Sequence, residues 1–548
     1  MPSVDGMAAY WISGAGWALA KSFILKPYQR RREAPLSLRI LLFIGLTLVA
    51  ALYGLFVVFL PPNLIFVPVV PILTMAGVCL WLLPDTDALY DDTMIKMLVW
   101  TVGLSTLWPN YVAVALPGLP WITPVRGLLG ALTAMFVYNL ATSRRLRQWI
   151  TTVLSSTPMM TRLFWLFWLC TTLSLAMAGS GTVGALTKYI NNQIYWTMLF
   201  IVAALACTKP GVLSAINRVL LWTTIVVCMI GLLEFQQQRV VWLDYLPSFL
   251  KVDPAIMATI ADSQARAGTD VYRVRGTFAV SLYYAEFLGL MFPFFLHAVF
   301  QKHSLLERLL LALAAVAVAA NMVLTNARSG TIALLLSLVV YLFISVYRLN
   351  RQHKTALIST AALYAYPAGL AMLTVLMFTW TRLRVMTLGG GQHQASTDTR
   401  GVQWDIGMPK VYTHPFGHGS GRAADVLGYA NGAGEVTIDS YYLSLLLEYG
   451  FLGFLLFMLF FVYVIWRAFR LYIEVREPEA QLAGPICSAL LNFIVVRSVL
   501  SPEPNMPIAF LYAGCLAGLI WRLQNPDRPR GVPQPKPAPP GFAAIPAQ

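Results

Sequence analysis

Apolar runs of about eighteen or more residues recur along the whole chain, and runs of this length are typical of helices that cross a membrane. In hydrocarbon each backbone N–H and C=O must find a partner inside the protein, so these runs are predicted to be helices. Of the 548 residues, 58% are apolar and only 11% are charged, a balance unlike that of soluble globular domains. The sequence therefore predicts an all-α, polytopic helical integral membrane protein.

The apolar runs predict about fourteen spans, with both termini on the same side of the membrane. Lys and Arg cluster in alternate connections, which predicts that those connections are cytoplasmic. Retention of Lys and Arg in the cytoplasmic connections also explains the net charge of +15 without a nucleic-acid partner. The acidic connection 85–92 also falls on the cytoplasmic side in this scheme. It is an exception to the excess of Lys and Arg there, but the positive-inside rule concerns cations and not carboxylates. The predicted spans are 38–60, 64–84, 95–116, 125–142, 161–179, 193–208, 213–234, 278–300, 306–325, 329–347, 357–380, 441–466, 484–500 and 506–522.

The rest of the chain divides around these spans. Residues 1–37 are expected to be a cytoplasmic or interfacial segment, with an extra span there as the alternative, and no cleavable signal peptide is evident. Residues 524–548 are proline-rich and are expected to be a disordered cytoplasmic tail. The six cysteines fall in or beside apolar runs without C-x-x-C spacing, so a disulfide framework or a zinc site is not expected.

The large loop before the twelfth span, 381–440, is polar in a chain that otherwise consists of membrane spans. With the loop 235–277, it falls on the predicted extracytoplasmic face. It contains S-T-D-T-R-G-V-Q-W at 396–404 and H-P-F-G-H-G-S-G at 414–421. Chemistry on a lipid-linked, hydrophilic molecule needs such a layer, because it cannot take place in hydrocarbon. The loop therefore favours catalysis at a membrane surface over simple passage through it.

Several arginines lie where the spans meet this outer face, against the orientation bias of cations. A guanidinium is permanently charged and pairs bidentately with phosphate, so two or three of them in an outer cavity would suit a lipid diphosphate. The alternative is that each pairs with a nearby carboxylate or extends to lipid headgroups. The residues are Arg273, Arg275, Arg328, Arg400 and Arg422.

Carboxylates near the same face are candidates for proton transfer. Asp439 opens the twelfth span, where it can accept a proton from an acceptor hydroxyl if partial burial keeps it basic, and it can also cap the helix. Glu448 lies at membrane depth and is expected to have a packing role. Glu286 is similar to Glu448, and because it lies two turns below Arg275 it is also a candidate to line the same cavity.

The histidines His414 and His418 flank glycines in the second loop motif. No strand precedes these glycines, which excludes a dinucleotide-binding loop and favours turns. Two histidines four residues apart in a proline-broken loop are poor evidence of a metal site. His418 therefore remains a candidate substrate-binding or catalytic residue, and no metal or cofactor is expected.

Four motifs occur in one order: R-G-T-F before a span, T-N-A-R-S-G between two spans, S-T-D-T-R with P-F-G-H-G-S-G in the outer loop, and D-S-Y-Y-L-S-L-L-L-E-Y-G-F-L-G. Over roughly 270–500, this order resembles the O-antigen ligase and polymerase (Wzy-like) superfamily of bacterial membrane glycosyltransferases. The N-terminal half, 38–270, matches only as generic spans, and 271–523 is expected to be the catalytic region. The resemblance implies a multi-pass protein of the bacterial inner membrane.

The resemblance also implies an activity: metal-independent transfer of glycan from a polyprenyl diphosphate to a sugar hydroxyl on the periplasmic face. Arg275 and Arg328 match the arginines that hold the diphosphate, and Arg400 matches the arginine that begins the helical part of the loop. Ligases that use lipid A core commonly carry a histidine where this chain has Asp439. That difference favours capsule and exopolysaccharide polymerases, for which a chain-length regulator protein is a candidate partner.

Two alternatives remain open from the sequence. One is a ligase that joins the glycan to lipid A core or to protein, and the other is a transporter or flippase. A flippase would be expected to carry polar groups through its spans at mid-depth, whereas the charges here cluster at the outer ends.

Overall fold

The computed structural model describes residues 91–114, 122–252, 271–301, 304–352, 357–388, 394–430, 436–499 and 504–526, with shorter pieces within 37–48 and 75–86 and at 256–257 and 434. The predictions for 1–36, for most of the first two spans and for the tail from 527 lie outside these residues. The chain divides into two units, 1–90 with 135–152 and 529–548, and 91–134 with 153–528. All candidate site residues belong to the second.

The described residues form seventeen α-helices and one two-stranded ribbon, in which β1 (Val112–Ala113) pairs antiparallel with β2 (Lys251–Val252). A π-helical turn, Gln193–Met198, joins the fifth helix to the sixth. The helices are α1 (Asp91–Leu107), α2 (Pro124–Thr142), α3 (Arg144–Ser155), α4 (Pro158–Ser174), α5 (Thr182–Asn192), α6 (Leu199–Ala206), α7 (Val212–Gln237), α8 (Ser281–Phe300), α9 (Leu305–Leu324), α10 (Arg328–Gln352), α11 (Leu357–Thr379), α12 (Thr381–Leu388), α13 (Gln394–Thr413), α14 (Ala423–Leu427), α15 (Tyr441–Glu474), α16 (Ala483–Arg497) and α17 (Met506–Gln524).

Ten helices in the described part of the chain are long and apolar enough to cross a membrane. They correspond to the fourth, fifth and seventh to fourteenth predicted spans, and they confirm the polytopic helical class.

Two predicted spans have wrong boundaries. The third does not reach 116, because α1 ends at Leu107 and Pro109 lacks the N–H that a helix interior needs. The sixth does not begin at 193, because helical backbone continues from Thr182 through the π-helical turn to Ala206.

Ion pairs near the first helices involve the acidic connection that departed from the charge pattern. In the first unit, Asp85 lies 2.9 Å from Arg144 Nε and 2.6 Å from Arg147 Nη2. In the second unit, Lys209 Nζ lies 2.5 Å from carboxylate oxygens of both Asp91 and Asp92. These carboxylates therefore meet cations from connections that the topology places on the cytoplasmic side, which is consistent with the predicted orientation.

The helices α6 and α17 pack with their backbones in close contact. A Cβ atom added to Gly514 would lie 2.2 Å from Phe200 O, and one on Gly518 would lie 2.1 Å from Ala204 O. The two glycines form the G-x-x-x-G of G-C-L-A-G, a spacing that lets membrane helices approach closely. Both helices are almost completely buried, so they form the centre of the second unit.

The helix α15 is two helical segments, 441–449 and 451–474, separated at Gly450, where φ is 69° and ψ is −174°. At about 1.5 Å per residue, its 34 residues would extend well beyond a hydrocarbon core of about 30 Å. The second segment is long enough to cross the core by itself. The first segment therefore belongs with the outer loop and positions the residues that surround its start.

Candidate functional site

The turn between α9 and α10, T-N-A at 325–327, brings two of the predicted arginines together. Asn326 has a positive φ of 47°, a conformation that asparagine tolerates better than most residues. The preceding segment lies against this turn, because Val274 N–H donates to Leu324 O (3.3 Å) and Arg273 Nε donates to Thr325 O (3.3 Å). Arg273 and Arg328 are thereby held at one turn.

The next cation is Arg400, which lies on α13 in the loop before α15. Arg328 Nη1 donates a hydrogen bond to Thr397 Oγ1 (3.2 Å) in the first turn of that helix. Burial lowers the pKa of the Arg400 guanidinium, the Asp439 carboxylate acts in the opposite direction, and the Arg328 charge lowers it further. Arg400 is thus close enough to both Asp439 and Arg328 to interact with each of them electrostatically.

The position of Asp439 depends on a side chain that the sequence did not single out. Its backbone N–H donates to Gln403 Oε1 (2.9 Å), and Gln403 is completely buried. Gln403 follows Arg400 by three residues, so both occupy one face of α13. We call Arg273, Arg328, Arg400 and Asp439 the outer charge cluster.

Hydrogen-bonding atoms around the outer charge cluster lack partners among the described residues, although they are buried. Native proteins pair the large majority of such atoms. These orphaned atoms belong to the same three segments as the charges and include several N–H donors, a chemistry that suits an oxygen-rich anion. They are Asn326 Nδ2, Ser329 Oγ, Arg400 Nε, Gln403 Nε2 and Ser440 Oγ.

Arg275, two residues after Arg273, is only 2% exposed. The carboxylate of Glu234, at the end of α7, accepts hydrogen bonds from Tyr272 Oη (2.8 Å), Arg275 N (3.1 Å) and Gly276 N (2.7 Å). Glu234 therefore fixes the R-G turn and faces the Arg275 charge. A carboxylate at the end of an apolar span was the only sequence signal for it.

Glu286 was expected to line a cavity with Arg275, and in the structure it pairs with Arg497 of α16. Arg497 Nε lies 2.8 Å from Glu286 Oε1, and Nη2 donates to Oε2 (3.1 Å). Asn505 Nδ2 donates to the same Oε2 (2.8 Å). Glu286 is 1% exposed and Arg497 is fully buried, so this carboxylate is committed to an internal ion pair.

Arg497 also connects that ion pair to the start of α15. Its guanidinium carbon lies 5.1 Å from the ring centroid of Tyr441, two residues after Asp439. Sequence reasoning missed Arg497, although an arginine at the end of an apolar run is a signal for a buried partner.

The second loop motif fills the break in α15. His418 N–H donates to Leu447 O (2.8 Å), Gly419 N–H donates to Glu448 O (3.0 Å), and Phe451 N–H donates to Pro415 O (3.2 Å). These bonds satisfy backbone groups that the break would leave without partners in an apolar setting. The glycines of this motif are turn formers, as predicted, since Gly417 has a φ of 82° and its Cβ would lie 2.3 Å from Glu448 O.

Arg422 and His418 lie near the other end of α13 from Arg400. The ring centroids of His414 and His418 are 4.5 Å apart, and the Arg422 guanidinium packs on Gly181 and lies 3.5 Å from Asp425. Lys410 Nζ on α13 donates to Val426 O and Leu427 O. Ten residues of helix, or about 15 Å, separate Arg400 from Lys410. The structure therefore divides the predicted residues into distinct groups.

His418 is expected to make the stability of the loop before α15 depend on pH. Burial lowers the pKa of His418 below its ordinary value of 6.5, and nearby cations act in the same direction. Because the unfolded chain binds this proton more readily, the contribution is complete above about pH 6.5 and is lost as pH falls through the folded pKa. We expect the thermal midpoint in detergent to fall between pH 7 and pH 5, with a smaller fall in His418→Gln. An equal fall in both proteins would contradict this assignment.

The described residues contain no group of three or more His, Cys, Asp or Glu side chains arranged to hold a metal ion. Residues 311–458 match the sequence model of a family described as O-antigen ligase. The match contains Arg328, Arg400, His418, Arg422 and Asp439, and confirms the resemblance predicted from the motifs. Among curated proteins, none matches the chain.

Proposed function

We propose that this chain, which carries a domain of the O-antigen ligase family at 311–458, is a glycosyltransferase that polymerises polyprenyl-diphosphate-linked oligosaccharide repeat units. It would act on the periplasmic face of the bacterial inner membrane, in exopolysaccharide, capsule or O-antigen synthesis. The observation that carries the proposal is the outer charge cluster in the family-matched segment. Arg328 is hydrogen-bonded to Thr397 of the helix that carries Arg400, and Gln403 of the same helix accepts the backbone N–H of Asp439. Arg400 interacts electrostatically with both Arg328 and Asp439.

The reaction follows from the charges of that cluster. The oxygen of an acceptor hydroxyl attacks the anomeric carbon of the donor, and its proton passes to Asp439. The bond from that carbon to the phosphate oxygen breaks with its electron pair, which leaves polyprenyl diphosphate and inverts the anomeric centre. Arg328 and Arg400 stabilise the negative charge that develops on the departing oxygen. The sugar is therefore transferred in one displacement.

The other predicted residues have narrower proposed roles. Arg273 adds positive charge at the same turn as Arg328, where a diphosphate would bind. Because Arg275 is buried, its proposed contribution is to hold the R-G turn together with Glu234 and so position Arg273. Arg422 and His418, near the far end of α13, are proposed to contact the glycan.

A polymerase is preferred over a ligase because Asp439 occupies the place where lipid A core ligases commonly carry a histidine. The exclusion of water is the remaining requirement, since hydrolysis of the donor would compete with transfer. The packing of α13 and α14 on the first segment of α15 supplies a covered surface for this purpose.

The experiment is reconstitution of the purified full chain with a synthetic polyprenyl-diphosphate oligosaccharide. A ladder of glycans, each longer by one repeat unit, is expected. Single attachment to added lipid A core would identify a ligase. Movement of the lipid across a vesicle membrane without any new glycosidic bond would identify a flippase, and either result would overturn the polymerase proposal.

A further inference from the structure

Aromatic rings from three helices form a partly exposed surface near the end of α10 that the predicted topology places on the cytoplasmic side. The ring centroids of Tyr366 on α11 and Phe343 on α10 are 4.9 Å apart, and those of Phe343 and Tyr347 are 6.1 Å apart. Tyr347 continues the series to Phe469 on α15, with the centroids 6.0 Å apart. All four side chains are half-buried, so lipid can contact them. We call these four residues the inner aromatic surface.

Arg348 lies at the edge of the inner aromatic surface, and its side chain is held in place. Its guanidinium carbon lies 4.5 Å from the ring centroid of Tyr472, which follows Phe469 by one turn of α15. Its Nη2 atom donates to Val475 O at the long distance of 3.5 Å. Its Nε atom is buried and has no hydrogen-bond partner among the described residues. The contact with Tyr472 orients the guanidinium but does not neutralise its charge.

The carboxylates that follow in sequence near this end of α15 are paired with other arginines. A carboxylate oxygen of Glu474 lies 2.5 Å from Arg470, and one of Glu477 lies 2.6 Å from Arg522. The connection 349–356, which follows Arg348, contains cations and no Asp or Glu. Across the part of the chain that the structure describes, the charge around Arg348 therefore complements an anion.

The anion that fits this place belongs to a lipid. A guanidinium pairs bidentately with phosphate. Phe343 precedes Arg348 by five residues, or about 7.5 Å of helix, so the rings lie where acyl chains begin beneath a headgroup. Basic clusters between spans on the cytoplasmic side attract the anionic lipids of that leaflet. A soluble anion would gain nothing from the apolar rings.

Ordinary interfacial residues are the alternative explanation, because aromatic and basic side chains are common wherever a span meets water. In that case a long cation extends freely into the headgroup layer. Arg351, about one turn later and exposed, fits that description. Arg348 differs, since it is half-buried and packed on Tyr472. A side chain that is already ordered loses less freedom on binding, so Arg348 is expected to bind phosphate more tightly than Arg351 does.

We propose that Arg348 and the inner aromatic surface bind one anionic phospholipid of the cytoplasmic leaflet. Its phosphate lies on the guanidinium, and its acyl chains cover the rings. This lipid site is on the opposite side of the membrane from the outer charge cluster and is independent of glycan transfer. Because the lipid contacts α10, α11 and α15 together, its binding stabilises the folded chain.

The test is native mass spectrometry of the full chain titrated with phosphatidylglycerol in detergent. Arg348→Gln is expected to weaken binding by about tenfold, the effect of one lost charge-assisted hydrogen bond. The matched control is Arg351→Gln, which changes the net charge equally about one turn further along α10. It should bind phosphatidylglycerol as the unaltered chain does.

Thermal midpoints give a second measurement. Phosphatidylglycerol is expected to raise the midpoint of the unaltered chain and of Arg351→Gln, and to leave that of Arg348→Gln unchanged. Phe469→Ala removes one ring of the inner aromatic surface and should weaken binding several-fold. Its control is Phe378→Ala, at a phenylalanine of α11 that is 60% exposed. The midpoints of both variants without lipid show whether either has lost its fold.

Three results would overturn the proposal. The first is equal binding by Arg348→Gln and Arg351→Gln. The second is equal binding of phosphatidylcholine and phosphatidylglycerol to the unaltered chain, which would indicate a general contact with phospholipid. The third is an equal rise of the midpoint with inorganic phosphate, which would leave the rings without a role. These measurements contain no glycan donor or acceptor, so their outcome does not depend on the proposed function.

Discussion

Replacement of Arg328 by alanine is expected to lower the rate of glycan transfer by about 10²–10³-fold, the usual effect of removing one donor that stabilises developing charge. Arg328 lies at the turn that also holds Arg273, and its Nη1 atom reaches Thr397 on α13. The loss should appear mainly in kcat, because the charge on the leaving oxygen is greatest in the transition state. Initial rates with the lipid-linked oligosaccharide measure this directly.

Arg328→Lys separates charge from geometry. Lysine keeps the positive charge but lacks the planar pair of donors that matches a phosphate, so an intermediate rate is expected. Arg400→Ala should resemble Arg328→Ala. The double variant should lose less than the product of the two single losses, because both arginines act on one leaving group.

The matched control is Arg308→Ala, an exposed arginine in the first turn of α9, the helix that leads into the Arg328 turn. It changes the net charge equally but lies about 24 Å of helix from the Arg328 turn. Its transfer rate should be unchanged. Equal rates for Arg328→Ala and Arg308→Ala, with both proteins folded, would rule out a role for Arg328 in charge stabilisation.

Replacement of Glu286 by alanine is expected to lower the free energy of unfolding by about 3–5 kcal/mol, because it leaves the buried Arg497 guanidinium without its counter-charge. Both ends of the pair are inaccessible, and Asn505 adds a hydrogen bond to the carboxylate. Water therefore cannot replace the lost partner. Equilibrium unfolding in mixed detergent micelles, followed by circular dichroism, gives the change.

The pair Arg470–Glu474 on α15 is the control for the second prediction. Its atoms are 2.5 Å apart, but its side chains are 51% and 44% exposed. Exposed pairs at this helical spacing contribute only about 0.3–0.5 kcal/mol, so Glu474→Ala should cause a far smaller loss. The comparison separates the effect of burial from that of ion pairing itself.

The double variant Glu286→Leu with Arg497→Met tests the reason for the loss. Removing both charges eliminates the unpaired ion, so much of the stability should return. Transfer activity need not return with it, because Arg497 packs over Tyr441 next to Asp439. A Glu286→Ala protein as stable as Glu474→Ala would contradict the assigned role of the pair.

The arginines of the outer charge cluster were predictable because cations on the outer face conflict with the charge bias of membrane proteins. That conflict identified Arg273, Arg328 and Arg400, and Asp439 was identified because it opens the twelfth span. It could not reveal that Gln403 holds Asp439, since a buried glutamine has no distinctive sequence pattern. Nor could it reveal that the backbone N–H of Arg275 is bound by Glu234, which is 41 residues away along the chain.

The helices themselves could be predicted from the sequence, but some of their boundaries could not. Hydropathy located the ten helices that satisfy the length and composition of a span, because the bilayer imposes both. It misplaced the end of α1, where Pro109 follows the helix inside an apolar run. It also misplaced the start of the helical run that contains α5, because Asn191, Asn192 and Gln193 lower the hydropathy although the backbone stays helical. The break at Gly450 was also missed, because hydropathy carries no information about the φ angle of a glycine within an apolar run.

The sequence by itself therefore determined the class of the fold and the chemical types gathered in the large loop, and it predicts the orientation of the loops. These follow from the cost of placing polar groups in hydrocarbon, which acts on each segment separately. Tertiary structure alone decided which charges meet: Arg497 with Glu286, Glu234 with the R-G turn, and Arg400 with Asp439. Such pairings depend on distances between helices far apart in the chain, and the packing of side chains in three dimensions sets those distances.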